Sequence, residues 1–311
     1  MSKAQLITIG TEITTGEIVN TNAAWVAQHL EEHGVRVFSH VSVRDQRDEI
    51  LRALRAADAS EWIVVTGGLG PTSDDITRAC VAEYVGQALE FDSEVWQEME
   101  RFYHERGLPL REAHKQQCYF PTGSRRLKNP VGTALGFQLQ FEKRHYIVLP
   151  GPPLELEGIW DLEVEPELQR LLPPSRFSWR HWTCLGVAES EVAEMVEKCI
   201  AGSKIEVGYR ATIPYVKVKL YVDESDFEHQ GRVASVDRAL MPFVVGDGVG
   251  DLAEELLRLW PQTVLPVSDS LCEKYLVQRL FTARSNLKKR DVQVPALEFF
   301  VEPQVRPDIR E

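Results

Sequence analysis

The stretch that most constrains this chain is Trp62 to Thr66 (WIVVT) running straight into Gly67-Gly68-Leu69-Gly70-Pro71-Thr72. A short uncharged, β-branched run reads as a buried strand, and the glycines stop it in a sharp turn. The same alternation precedes it. Gln5 to Ile9 is a short apolar run ending at Gly10. Asn20 or Thr21 can cap a helix through Trp25, Val26 and Leu30, with Gly34 just past its end. Val35 to Val43 is period-two and β-branched, a strand. Arg47 to Ala57 is a helix with Ile50, Leu51 and Leu54 on one face. After the glycine turn, Ser73 or Asp74 can cap a helix carrying Ile76, Cys80, Val81 and Tyr84. Strands separated by helices in this order predict an α/β fold with a mostly parallel sheet between helical layers and right-handed crossovers.

The rest of the chain divides by pattern. Ser93 to Arg106 and residues around Glu112 to Gln117 read as helical. Ala134 to Phe141 and His145 to Leu149 read as a hairpin turning at Glu142-Lys143-Arg144. Leu154 to Leu171 is an amphipathic helix ended by Pro173-Pro174, the best candidate linker. The first domain is therefore residues 1–172. Residues 173–248 form a smaller α+β unit: strand Phe177 to Leu185, helix Glu189 to Cys199, strands Ile205 to Arg210 and Val216 to Val222, helix Gln230 to Leu240, strand Phe243 to Val245. Residues 249–311 begin with helix Leu252 to Trp260, strand Thr263 to Val267 and helix Leu271 to Phe281. From about Ser285 no period is sustained, which predicts a mobile tail.

Charge narrows the function. With 35 Lys+Arg against 47 Asp+Glu, the net charge is −12. Such a chain does not attract a polyphosphate backbone over long range, so nucleic-acid binding is not expected. An anionic substrate then needs local positive potential from backbone N–H groups, a helix N-terminus or a metal ion. Cys80, Cys118, Cys184, Cys199 and Cys272 never stand at C-x-x-C spacing, which argues against a disulfide framework and a zinc site. No apolar run reaches a membrane span, and the apolar run at the N-terminus is too short for a signal peptide. A cytoplasmic location is the simple expectation.

The chemistry is concentrated in loops after strands. Thr66 to Thr77 (TGGLGPTSDDIT) offers bare N–H groups at Gly67, Gly68 and Gly70, then a helix N-terminus: a phosphate cradle without a lysine. Asp74 and Asp75 are helix caps or ligands of a divalent ion. The segment is neither a Walker loop nor a dinucleotide fingerprint. Gly10-Thr11-Glu12 ends the first strand, and Asn20-Thr21-Asn22 leads into the first helix. Asp45 follows the second strand, where its structural role would be to cap the next helix. In an open α/β sheet the carboxyl ends of strands face the ligand, so Glu12, Asn20, Asp45 and the Gly67 loop share one edge. Asn129-Pro130-Val131-Gly132-Thr133-Ala134 and the segment from Leu149 through Gly151 to Glu155 are two further loops of this kind.

Together, GTEITTGEIVNTN, TGGLGPTSDD, NPVGTALGF and LPGPPLEL resemble the N-terminal domain of the CinA (competence/damage-inducible protein A) family, itself related to the molybdopterin-binding MoaB/MogA fold. The resemblance covers about Gln5 to Leu172. Phe177 to Gly246 is similar to the small KH-like domain of that family, chiefly through AESEVA and Gly208-Tyr209-Arg210. The departures are Leu135, where proline is usual, and Leu156, where methionine is usual.

The resemblance implies divalent-metal-dependent hydrolysis of ADP-ribose to AMP and ribose 5-phosphate by a homodimer. The ion would be Mg2+ or a transition metal such as Co2+, Mn2+ or Ni2+, with K+ a further candidate. Asp75 and Asp74 would hold the metal, and Asp75 matches an Asp used by the molybdopterin relatives. Asp45 or Glu12 would be the general base. Gly10, Thr11, Asn20, Asn22, Thr66, the three loop glycines, Thr72, Asn129, Gly132, Thr133 and Gly151 would bind substrate. The alternatives are an adenylyl-transfer or molybdopterin-binding role, and a nucleotide-binding regulator without catalysis.

Full-length relatives often end in a nicotinamide mononucleotide deamidase domain opening with AESCTGG. Here the equivalent place reads VSDSLCEK, with Ser270 alone at the nucleophile position, and no deamidase activity is expected. His29-Leu30-Glu31-Glu32-His33 fits a zinc-peptidase spelling but lies on a short helix that exposes it. The KH-like unit lacks the G-x-x-G clamp of nucleic-acid-binding KH domains. No G-x-S-x-G elbow occurs, Lys288-Lys289-Arg290 reads as a solvated run, and Trp25, Trp62, Trp96 and Trp160 fall at core positions.

Overall fold

The protein is seen in a computed structural model that describes residues 2–212 and 215–245 and, beyond them, residues 253, 256–257, 264–267, 280, 283–284 and 296–299. It divides into two compact units, Met1–Arg176 and Phe177–Glu311.

In the first unit the elements run β1 (Lys3–Ile9), α1 (Thr11–Thr14), α2 (Thr21–Glu32), β2 (Arg36–Val43), α3 (Arg47–Ala56), β3 (Trp62–Thr66), α4 (Thr77–Val85), β4 (Leu89–Phe91), α5 (Ser93–Glu105), β5 (Tyr119–Pro121), β6 (Arg125–Leu127), β7 (Gly136–Phe141), β8 (Arg144–Leu149), α6 (Pro153–Ile159) and α7 (Glu165–Leu171). The main sheet has the order β2-β1-β3-β8-β7-β6. The first four of these strands are parallel, and β7 and β6 are antiparallel. Strand alternation splits the core into two. Ile7, Ile9, Ile63, Val65 and Val148 face α3, α4 and α5 on one side. Leu6, Val64, Ile147 and Leu149 face α2, α6 and α7 on the other. Both faces of the parallel strands are covered, which is why WIVVT carries no polar alternation.

Local departures from the sequence reading have local causes. The helix after the glycine loop starts at Thr77, and neither Ser73 nor Asp74 caps it; the intervening residues fold as a turn. The hairpin turns on Glu142 and Lys143 alone, both at positive φ (48° and 66°), so Arg144 is already in the strand. The predicted helix from Leu154 to Leu171 contains a π-helical turn at Trp160–Val164. Pro166, which has no N–H to donate, sits just beyond it.

The second unit contains β9 (Phe177–Leu185), α8 (Glu189–Ile200), β10 (Glu206–Thr212), β11 (Tyr215–Asp223) and α9 (Phe227–Leu240). Its antiparallel sheet, ordered β10-β11-β9, packs Trp182, Val216, Val218 and Leu220 with Val192, Val196 and Val236 of the helices. The expected strand at Phe243 to Val245 is only a bridge between Val244 and Cys184. Further on, β12 (Val264–Val267) pairs in parallel with β13 (Ala296–Phe299). β13 falls within the stretch from Ser285 that the sequence reads as a mobile tail; four residues are too few for a period to register. The helices expected at 252–260 and 271–281 and the VSDSLCEK segment lie largely outside the described residues. Among the described residues no helix is long and apolar enough to cross a membrane.

Candidate functional site

The chain passes from β1 outward to β2, then returns across β1 to β3. That reversal leaves a crevice between the carboxyl ends of β1 and β3, where open α/β sheets bind ligands. A cleft of about 560 Å³ lies there, lined by the ends of both strands, the loops after them and Pro150–Pro153. Its size suits a nucleotide.

The glycine loop is built so that its amides beyond Gly67 are left without protein acceptors among the described residues. Gly67 N–H donates to Leu149 O at 3.0 Å, fastening the loop to β8. From there every carbonyl is tied back. Thr77 Oγ1 donates to Gly67 O at 2.8 Å, and Thr77 N–H donates to Gly68 O at 3.3 Å. Arg78 Nη1 donates to Leu69 O at 2.9 Å, and Gln116 Nε2 donates to Gly70 O at 3.0 Å. In a trans peptide the N–H points opposite to the carbonyl. Fixing the carbonyls of residues 67, 68 and 69 therefore turns the N–H groups of Gly68, Leu69 and Gly70 the other way. None of those three N–H groups has a protein acceptor among the described residues, and all three residues line the cleft. Successive unpaired amides of this kind form a nest that can cradle an anion; Leu69 is itself buried, and Gly68 and Gly70 are the partly exposed pair.

Beneath the loop sits Arg78, 4 % exposed. Its other terminal nitrogen donates to Leu135 O at 3.1 Å, and its Nε has no partner. Burial pushes its pKa down to about 10, so it remains charged at neutral pH. It puts a positive charge directly behind the glycine loop. Sequence reasoning missed it. The signal was present: Arg78 stands three, four and seven residues before Val81, Ala82 and Val85, all buried, so a cation occupies the apolar stripe of α4. Replacing Arg78 with Gln should leave the Leu135 carbonyl without its Arg78 donor and Leu69 O with only the 3.3 Å bond from Gln117 Nε2, at a cost of about 2–4 kcal/mol, read by denaturant unfolding. Lys, which keeps the charge but not the fork, should recover only part of that.

Carboxylates surround the nest. Asp75 Oδ2 accepts from Thr72 N–H at 2.8 Å and Thr72 Oγ1 at 2.6 Å, leaving Oδ1 without a protein partner among the described residues. Thr72 Oγ1 also lies 2.5 Å from Asp74 Oδ1. That hydrogen bond, with the Asp74 backbone amide, holds the Asp74 carboxyl below its ordinary range. Asp45 caps nothing: the N-cap of α3 is Gln46, with no side-chain cap bond. Its Oδ2 instead accepts from Thr11 N–H at 2.8 Å and Thr11 Oγ1 at 2.9 Å, again leaving Oδ1 without a protein partner among the described residues. Glu12 lies over Gly10, where an added Cβ would come within 2.7 Å of Glu12 Oε1. Glu155, unassigned by sequence reasoning, joins them in the cleft.

The remaining expectations divide. Gly10, Glu12, Asn20, Asn22, Asp45, Thr66, Gly67, Gly68, Gly70, Asp74, Asp75 and Gly151 line the cleft together. Asn20 is also the N-cap of α2, and Asn22 Nδ2 donates to Gly151 O at 2.7 Å, tying two loops. Thr11, Thr72, Asn129, Gly132 and Thr133 stand outside the lining. Thr11 and Thr72 hold Asp45 and Asp75. Asn129 is 9 % exposed and spends its amide on its own loop. It donates to Ala134 O (3.0 Å) and Glu155 Oε2 (2.6 Å), and accepts from Val131 and Gly132 N–H. It closes the 129–134 loop and ties it to Glu155 in the first turn of α6. A second cleft, of about 270 Å³, lies around Trp62 and His145 at the opposite strand ends and holds none of the expected site residues.

Residues 5–170 match the family model described as "Probable molybdopterin binding domain". The chain belongs to that family. Its relatives are CinA-like proteins: one from Geobacter sp. (strain M21) is 36 % identical over 228 residues, 72 % of this chain and 54 % of that one. Another, from Salinibacter ruber, is 32 % identical over 259 residues, 81 % of this chain and 63 % of the relative. A solved structure of the protein CinA from Thermoplasma acidophilum is 36 % identical, covers 54 % of this chain and 98 % of that chain, and has a TM-score of 0.49. This CinA-like chain spans about half the length of the curated relatives it matches.

Proposed function

We propose that this CinA-like chain hydrolyses the pyrophosphate bond of ADP-ribose, giving AMP and ribose 5-phosphate. One observation carries the reading: three unpartnered amides, backed by a buried guanidinium, share a cleft with Asp75, Asp45 and Glu12. The amides of Gly68, Leu69 and Gly70 hold the diphosphate. Asp45 or Glu12 takes the proton of the attacking water as a P–O–P oxygen departs with one phosphate.

The donor set suits a divalent ion of the Mg2+ type. Such ions take hard oxygen ligands and commonly use only one or two carboxylates, phosphates completing the shell. Among the described residues no three acidic, histidine or cysteine side chains form a metal-binding group, so the substrate has to supply part of the coordination. Asp75, with Asp74, is the pair that would hold the ion. When bound it supplies charge neutralisation on the leaving phosphate and acidifies water.

A second reading, molybdopterin binding or adenylyl transfer, is favoured by the description of the matched family. A nucleotide-binding regulator without catalysis is the third. Product identity separates them. Incubation with ADP-ribose and Mg2+ or Mn2+ should yield equimolar AMP and ribose 5-phosphate. Thermal stabilisation by the nucleotide without products would favour the regulator, and, in a separate incubation with ATP and a pterin phosphate, an adenylylated pterin released with pyrophosphate would favour transfer. Glu12→Gln and Asp45→Asn, compared by pH–rate profile, identify the base: its loss removes the acidic limb.

A further inference from the structure

A row of hydroxyls crosses three strands, and two of them, on Thr8 and Thr66, line the cleft. In register, Ser42 of β2 lies beside Thr8 of β1, and Thr8 beside Thr66 of β3. All three are on the α2 side of the sheet, since Leu6 and Val64, two residues before Thr8 and Thr66, belong to that core. Asn20 Nδ2 donates to Thr8 Oγ1 at 2.9 Å and lies 3.4 Å from Ser42 Oγ. Thr8 and Thr66 are both buried, at 3 % and 4 % exposure, but only the Thr66 hydroxyl has no partner. Valine would fill the same space without leaving a polar atom unsatisfied, so the hydroxyl is a cost unless something binds it. Thr8, Thr66 and Asn20 all line the cleft.

The hydrogen-bond inventory says what fits. Thr8 Oγ1 accepts from Asn20 and keeps its own proton to donate; Thr66 Oγ1 can both donate and accept. A phosphate or carboxylate oxygen could accept from each hydroxyl but would leave the acceptor side of Thr66 Oγ1 unused. A sugar hydroxyl gives and accepts at once. Two hydroxyls on adjacent parallel strands, about 5 Å apart by strand spacing, match the two oxygens of a vicinal diol.

We propose that Thr8 and Thr66 form a diol subsite, which docks a ribose while the attached phosphates lie on the amides of residues 68–70. The subsite distinguishes ribose from deoxyribose. This rests on the reading of the cleft as a nucleotide site.

The test is calorimetric titration of the full chain with ADP, 2′,3′-dideoxy-ADP and inorganic pyrophosphate, each with Mg2+. The wild type should prefer ADP over the dideoxy analogue at least ~10-fold, one charge-neutral hydrogen bond's worth. Thr66→Val should lose that preference by weakening ADP alone, and Thr66→Ser should restore it. Thr8→Val should behave like Thr66→Val. A preference that persists in Thr66→Val, or an equal loss for all three ligands in a variant that melts like the wild type, would overturn the subsite and leave the nucleotide reading standing. If none of the three binds the wild type, the nucleotide reading itself falls, and the subsite with it.

Discussion

Asp75→Ala is expected to lower ADP-ribose hydrolysis at least ~100-fold, about 2.7 kcal/mol of transition-state stabilisation, with the fold intact. The carboxylate is positioned rather than loose. Thr72 holds one oxygen through both its N–H and its hydroxyl, and the other oxygen has no protein partner among the described residues. The side chain thus presents a single oriented oxygen beside the amide nest. Asp75→Asn should cost nearly as much, because it can keep the bond from the Thr72 N–H and loses only the charge. Steady-state kinetics on both variants, with circular dichroism to verify folding, check this. Unchanged turnover in folded Asp75→Ala removes the residue from the chemistry.

Gly67→Ala should be the most damaging single-methyl change in the first unit. Gly67 has φ +98°, and a Cβ there would lie 2.0 Å from the backbone oxygen of Ile9. Ile9 is the last residue of β1, paired with β2, so the oxygen cannot retreat without breaking the sheet. Left-handed strain and a backbone clash act together. A loss of at least ~3 kcal/mol is expected, measured by urea unfolding. Gly16→Ala is the control: φ is +80°, but nothing lies within 4 Å of the new atom. It should cost only about 1 kcal/mol. Equal effects from the two substitutions would mean that conformational strain, not the approach to β1, explains the glycine.

The fold was legible where burial follows residue type. WIVVT, the β7–β8 hairpin and the helices with wide apolar stripes stand within a residue or two of where periodicity put them. Three-residue strands such as Leu89–Phe91 and Arg125–Leu127 were not, because they carry no period at all and exist through their partners. The site was legible as loops but not as roles. Asp45 looks like a helix cap in one dimension, and only the 2.8 Å bond from Thr11 N–H, 34 residues away, shows otherwise. Asn129 reads as an exposed ligand because its loop is polar; in the fold its amide closes that loop. Arg78 and Gln116 act through backbone carbonyls, and carbonyl ties leave no mark on residue type. The orphaned Thr66 hydroxyl is likewise a property of what surrounds it.

The central claim is that the amide nest and its carboxylates act on a diphosphate. Product analysis after incubation of the purified chain with ADP-ribose and a panel of divalent ions tests it most directly. AMP and ribose 5-phosphate should appear in equal amounts, dependent on the added ion and abolished by a chelator. Intact ADP-ribose under every ion, from a protein that is folded and binds the nucleotide, would contradict it.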